Sequence, residues 1–159
     1  MERRFRGACG CICPFASWDR LMSNRHSVGT ENLVTQWAKA WCTQDTALFL
    51  SLFAEDALYR DVALDKSFRG RSAIKAFFEG TFVTFPDFKM DVGFCAVTAE
   101  TAAGEWVMSG TFLGESFGQA PTGKSFRIEG CCFMRIVGGR IIEHKDYWNS
   151  TTFDAQVAP

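Results

Sequence analysis

Beyond residue 30, apolar positions first recur with the 3.6-residue period of helices and then with the two-residue period of strands. Thr30 reads as an N-cap with Glu31 in the first turn, and Leu33, Val34, Trp37 and Trp41 follow at helical spacing. Asp45 can cap a second short helix that carries Leu48, Leu52 and Phe53 on one side. Residues 57–61 read as a short strand. A third helix is predicted over 72–82, with Ile74, Phe77, Phe78 and Phe82 on one stripe, and Phe85-Pro86-Asp87 ends it. Strands are predicted over 88–98, 105–113, 125–137 and 140–150. Gly138-Gly139 turns the last two into a tight hairpin, and 114–123 forms a longer loop. Helices first and an antiparallel meander after give an α+β fold, with three helices packed on one face of a curved antiparallel sheet. No repeat or linker divides residues 29–159, which are expected to form one domain.

Residues 1–28 differ. They combine Arg3, Arg4 and Arg6 with a short apolar patch around Pro14, and they read as a poorly ordered extension. A targeting segment, or a start at Met22, stays open. The whole chain of 159 residues carries 17 basic and 18 acidic side chains, a net charge of −1. That balance gives no electrostatic footing for nucleic acid or an acidic membrane surface, and no apolar run is long enough to span a bilayer. Seven Cys cannot all pair internally, and no CxxC pair supports a zinc ribbon. Cys9, Cys11 and Cys13 form only a weak metal-like run, so the expectation is reduced thiols, no metal and a cytoplasmic setting. With aromatic residues at 14% of the chain, including 16 Phe and 5 Trp, a ring-lined cavity becomes plausible alongside a packed interior.

The densest chemistry lies on the last strand. Alternation places Ile142, His144, Asp146 and Trp148 on one face. If that face meets the helices, a carboxylate and an imidazole stand two residues apart among rings, where burial can poise an acid for proton transfer. The alternative is a solvent-facing pair on an edge strand. On the preceding strand, parity puts the apolar row Phe126, Ile128, Gly130 and Cys132 inside and leaves Glu129 outside, paired with Arg127. An inward Glu129 needs both faces of the sheet covered. Asp61 ends a short strand, where a turn or cap role is the alternative to a site role, and Tyr59 shares its face. No nucleophile elbow and no phosphate or dinucleotide glycine pattern is present, so no cofactor is expected. His144 is the one His of the domain, which removes a multi-histidine metal site.

The ordered segments FAEDALYRD (53–61), FRGRSAIKAFF (68–78), WVMSGTFLG (106–114), PTGK (121–124), FMRI (133–136) and GRIIEHKDYW (139–148) resemble the nuclear transport factor 2-like superfamily, in its SnoaL-like polyketide cyclase and ketosteroid isomerase branch. The resemblance spans essentially all of 30–153. It implies a cone-shaped α+β barrel with an apolar cavity, and a homodimer through the outer sheet face. In such a dimer Phe126, Ile128 and Met134 would meet the partner and Glu129 would look inward. It further implies Asp146 as the acid–base aspartate of the cyclases, Asp61 at the isomerases' proton-shuttling position and Glu129 near their neutral, hydrogen-bond-donating acid. Trp37 stands where the isomerases carry an oxyanion-binding Tyr. The stretch KDYWN also resembles limonene-type epoxide hydrolases, but Trp106-Val107-Met108 replaces their Arg-x-Asp pair.

The expected activity is therefore cofactor-free acid–base chemistry, a cyclisation or isomerisation of a hydrophobic carbonyl compound. Asp146 is the base, His144 tunes it, Asp61 and Glu129 are further acids, and Trp37, Trp41, Tyr59, Phe78, Trp106 and Trp148 line the pocket. Epoxide hydrolysis and a non-catalytic ligand-binding or dimerisation module are the alternatives.

Overall fold

The first helix, α1 (Leu33–Thr43), begins at Asn32, whose side-chain oxygen accepts from the N–H groups of Val34 and Thr35, both at 3.0 Å. Thr35 Oγ1 accepts in return from the Asn32 N–H, which closes a capping box. The cap is thus Asn32, two residues beyond the expected Thr30. In this computed structural model the described residues are 32–115 and 120–159, so Thr30 and the expected 1–28 extension lie outside them. Gln44 leaves α1 in the left-handed region at φ 56°, and Asp45 caps α2 (Thr46–Ser51) as expected, accepting from Leu48 N–H at 2.9 Å. After β1 (Phe53–Asp61) and the short β2 (Lys66–Arg69), α3 runs over Gly70–Thr84. Then follow β3 (Lys89–Val97), β4 (Thr101–Thr111), β5 (Ser125–Val137), β6 (Arg140–Trp148) and α4 (Ser150–Val157).

The six strands lie in the order β2-β1-β6-β5-β4-β3. All neighbours are antiparallel except β1 and β6, which run parallel. The sheet is therefore mixed and unclosed, with β2 and β3 at its edges, where the sequence suggested a purely antiparallel one. Register shifts in β1, β3 and the β5–β6 ladder bend it. Gly138 and Gly139, at φ 57° and 73°, make the tight β5–β6 turn that only residues tolerant of positive φ allow.

Alternation on β5 is strict. Phe126, Ile128, Cys132, Met134 and Ile136 are buried, while Arg127, Glu129, Cys131, Phe133 and Arg135 are exposed. Phe126, Ile128 and Met134 thus pack inward and do not await a partner, and Glu129 faces out. Parity on this strand overrules the placement that the family resemblance implied. On β6 the expected row breaks at its start. Arg135 pairs with Glu143 but Ile136 with Ile141, so Ile142 is the extra residue of a bulge and the buried residue is Ile141.

The concave face holds the helices over a core rich in rings. Phe49 stacks on Phe78 at 4.0 Å between centroids, and Trp41 meets Phe49, Phe78 and Phe88 within 5.2 Å. Gly130 matters for a different reason: a Cβ there would overlap the benzo edge of Trp106, its cross-strand neighbour. The missing side chain lets the indole lie flat over β5. Among the described residues no helix is long and apolar enough to cross a membrane.

Candidate active site

The parallel pairing of β1 with β6 assembles the polar centre. It sets Tyr59 beside His144 and Asp61 beside Asp146, and because both strands alternate in phase, all four side chains point to the inner face. The Val62 N–H donates to the Asp146 carbonyl at 2.9 Å and carries the pairing to the end of the strands. Local sequence could not announce this arrangement, since the two strands are separated by most of the domain.

Asp146 is 6% exposed, and each carboxylate oxygen has a buried partner. The Tyr59 hydroxyl donates to Oδ2, and His144 Nε2 lies 2.9 Å from Oδ1. Opposite an ionised carboxylate, which only accepts, Nε2 is the imidazole nitrogen that donates. His144 is fully buried between the ring of Tyr59, stacked at 4.3 Å, and that of Trp37, at 5.0 Å. Its Nδ1 has no partner among the described residues. Burial, reinforced by the Asp146 charge, raises the Tyr59 pKa well above that of an ordinary phenol, so its hydroxyl stays a donor.

Asp61 is the second buried carboxyl, 5% exposed. The Trp148 indole N–H donates to both its oxygens at 3.1 Å, and the Leu64 N–H donates to Oδ1 at 3.0 Å. These bonds favour the charged form, yet burial wins and pushes the pKa up to about 6, with a further contribution from the Asp146 charge.

Both carboxyls open on a cavity of about 550 Å³. Its walls are mainly rings, among them Trp41, Phe77, Phe85, Trp106, Phe126 and Trp148. The indole N–H groups of Trp41 and Trp106 are buried with no partner among the described residues. Of the residues expected here, Asp61, Tyr59, Trp41, Trp106, Trp148 and Asp146 line the cavity, and His144 stands behind Asp146. Three expectations are corrected. Glu129 is on the opposite face, its side chain 80% exposed and 3.5 Å from Arg127. Trp37 and Phe78 are wholly buried in the core and do not reach the cavity. Sequence reasoning also missed Leu64 and Phe68 around β2, and Ser150, Phe153 and Asp154 on α4. The signal for α4 was Asn149, whose side chain accepts from Thr152 N–H at 3.1 Å as an N-cap.

Cys132, His144 and Asp146 bring three potential metal-donor atoms within 4.8 Å of one another. Asp146 already spends both oxygens on Tyr59 and His144, and burial drives the Cys132 thiol pKa upward, with the Asp146 charge adding to it. The cluster therefore favours a proton over a metal ion.

A family model described as SnoaL-like polyketide cyclase matches residues 31–157. Solved structures share the fold at low identity. One is a protein of ketosteroid isomerase-like fold from Catenulispora acidiphila, solved with trimethylamine (23% identity, 80% of this chain and 93% of that one, TM-score 0.71). Another is IdmH, a candidate polyketide cyclase from Streptomyces antibioticus (24%, 80% and 96%, TM-score 0.69). A third is TsrD from Streptomyces laurentii (18%, 79% and 92%, TM-score 0.69). No curated protein sequence is significantly similar to the chain.

Proposed function

The chain belongs to the SnoaL-like polyketide cyclase family, and from that premise we propose that it is a cofactor-free acid–base enzyme acting on a hydrophobic carbonyl compound. The observation that carries this reading is the pair of buried carboxyls, Asp61 and Asp146, opening side by side on an apolar cavity. Their environments differ in the way that acid and base roles require. Asp146 receives a donor on each oxygen, which suits an ionised base, whereas Asp61 titrates near 6 and is available in part as an acid.

In this mechanism the Asp146 carboxylate takes the proton from the carbon next to the substrate carbonyl. The C–H electron pair moves into the enolate, whose negative charge stays on the former carbonyl oxygen. The enolate carbon then attacks a second carbonyl of the same molecule. The resulting alkoxide takes the Asp61 proton, so the ring closes without a change of oxidation state. Without a second carbonyl, return of the proton to a different carbon gives a double-bond shift. Tyr59 and His144 orient Asp146, Tyr59 from the cavity wall and His144 from behind it. Trp37 and Glu129, expected as oxyanion partners, are placed too deep and too far outside to serve. Epoxide hydrolysis of the limonene type is set aside, because Trp106 and Met108 occupy the cavity wall where an Arg-x-Asp pair would have to stand.

The test is enzyme-dependent deuterium exchange next to the carbonyl of hydrophobic ketones, followed by NMR in heavy water. Asp146→Asn is expected to slow exchange by roughly 10²–10⁴-fold. An unchanged rate in that variant would remove Asp146 as the base. Binding without exchange in the wild type would favour the binding-module reading.

A further inference from the structure

The cavity is one-sided in charge. Its ionisable lining consists of Asp61, Asp146, Asp154 and the protonated Tyr59, and among the described residues no Lys, Arg or His lines it. Asp61 and Asp146 are buried in its wall, while Asp154 stands exposed on α4. The remaining wall is aromatic. Near Asp154, Phe126 and Phe153 are 5.0 Å apart between centroids, Phe85 and Phe126 5.0 Å, and Trp148 and Phe153 5.9 Å. Carboxylates in a cleft with low-dielectric walls concentrate negative potential, and ring faces attract cations. An anionic ligand entering here meets two or three negative charges and no compensating cation. A ring-sized apolar body with one positive charge meets apolar area, ring faces and carboxylates together.

We propose that this cavity binds hydrophobic cations, small molecules with a protonated or quaternary amine on an apolar body, and rejects carboxylates of the same shape. This rests on the functional reading above only in taking the same cavity as the ligand site, and it narrows the substrate class to carbonyl compounds that also carry a basic amine. Asp146 accepts from Tyr59 and His144, and Asp61 from Trp148 and Leu64, which leaves acceptor capacity on both carboxylates. The ammonium therefore faces Asp61, Asp146 and the exposed Asp154 on α4.

The experiment is isothermal titration calorimetry of the full chain at neutral pH with three ligands of one shape, naphthylmethylamine, naphthylmethanol and naphthoate. The amine is expected to bind about tenfold or more tightly than the alcohol, with the carboxylate weakest. Asp154→Asn and Asp61→Asn should each narrow the gap between amine and alcohol while leaving the alcohol's affinity unchanged. Asp154 is exposed, so its substitution leaves the fold intact. Naphthoate binding as tightly as the amine would overturn the proposal, as would no saturable amine binding at millimolar concentration. An amine preference untouched by both variants would do the same. The catalytic reading fails separately. Amine preference without deuterium exchange sustains the cation site and removes the enzyme, whereas exchange on anionic ketones in preference to amine-bearing ones does the reverse.

Discussion

The two faces of the β5–β6 hairpin carry similar residue types and opposite chemistry. On the outer face, Glu143 lies 2.9 Å from Lys145 and 3.4 Å from Arg135, and Glu129 lies 3.5 Å from Arg127. Lys145 holds the Glu143 carboxyl below its usual pKa, and Arg135 assists. On the inner face, and on β1 beside it, the carboxyls of Asp146 and Asp61 meet no Lys or Arg among the described residues. They are held by a phenol, an imidazole, an indole and a backbone N–H. Outside, Lys145 and Arg135 favour the charged form of Glu143. Inside, burial raises the Asp61 pKa and makes every donor on a carboxylate necessary. One residue of offset along a strand therefore separates a surface ion pair from a buried carboxyl held by a phenol and an imidazole.

Removing a donor from the inner face should break the contrast most sharply. Tyr59→Phe keeps the ring stacked on His144 but strips Asp146 Oδ2 of its partner. The cost should be about 1.5–3 kcal/mol, the worth of a hydrogen bond to a charged group. Urea unfolding of the two proteins reads it directly, and a difference below about 0.5 kcal/mol would mean that Tyr59 does not hold the carboxylate charge.

Asp61 sharpens the comparison through pH. Its folded-state pKa is raised from 3.8 to about 6, so the folded protein binds the proton more tightly than the unfolded chain does. This stabilising contribution is complete below about pH 4 and is lost as pH rises through about 6. Asp61→Asn removes the ionisation penalty. The variant should match the wild type near pH 4 and exceed it at neutral pH by on the order of 1–3 kcal/mol. Stability curves measured at several pH values on both proteins isolate the effect, and identical slopes would show that Asp61 titrates normally.

What local pattern can report explains how much of this was legible. The 3.6-residue stripe of Ile74 and Phe78 located α3, the Asp45 cap located α2, and Gly138-Gly139 located the hairpin. Period-two alternation placed His144 and Asp146 together on one face, where they are. Alternation carries no information across a bulge, however, so the same argument chose Ile142 where Ile141 is buried. Pairing of β1 with β6 has no local signature, because the contact joins residues separated by most of the domain. The Tyr59–Asp146 and Asp61–Asp146 proximities were therefore out of reach of spacing alone. β2, four residues reading Lys-Ser-Phe-Arg, is too short and too polar to betray itself. Trp37 and Phe78 show the last limit: periodicity assigns a side chain to the apolar side of a helix, but not to the cavity as against the core behind it.

Glu129 is where the comparison should yield its smallest effect. Family resemblance put an inward, neutral acid there, while strand parity put an exposed anion there, and the structure follows parity. Its partner Arg127 is also exposed, so the pair is screened and entropically loose. Glu129→Gln should therefore change stability by no more than about 0.5 kcal/mol and leave deuterium exchange unaltered. Measured over a range of protein concentrations, the same variant also probes the outer face. A loss that is larger and depends on concentration would mean that a second copy covers Glu129. A loss of exchange activity without any change in stability would place the carboxyl in the chemistry after all, against its position on β5. Parity then would have misled on the strand where it is most regular, and the inner and outer faces of the hairpin could no longer be read as separate environments.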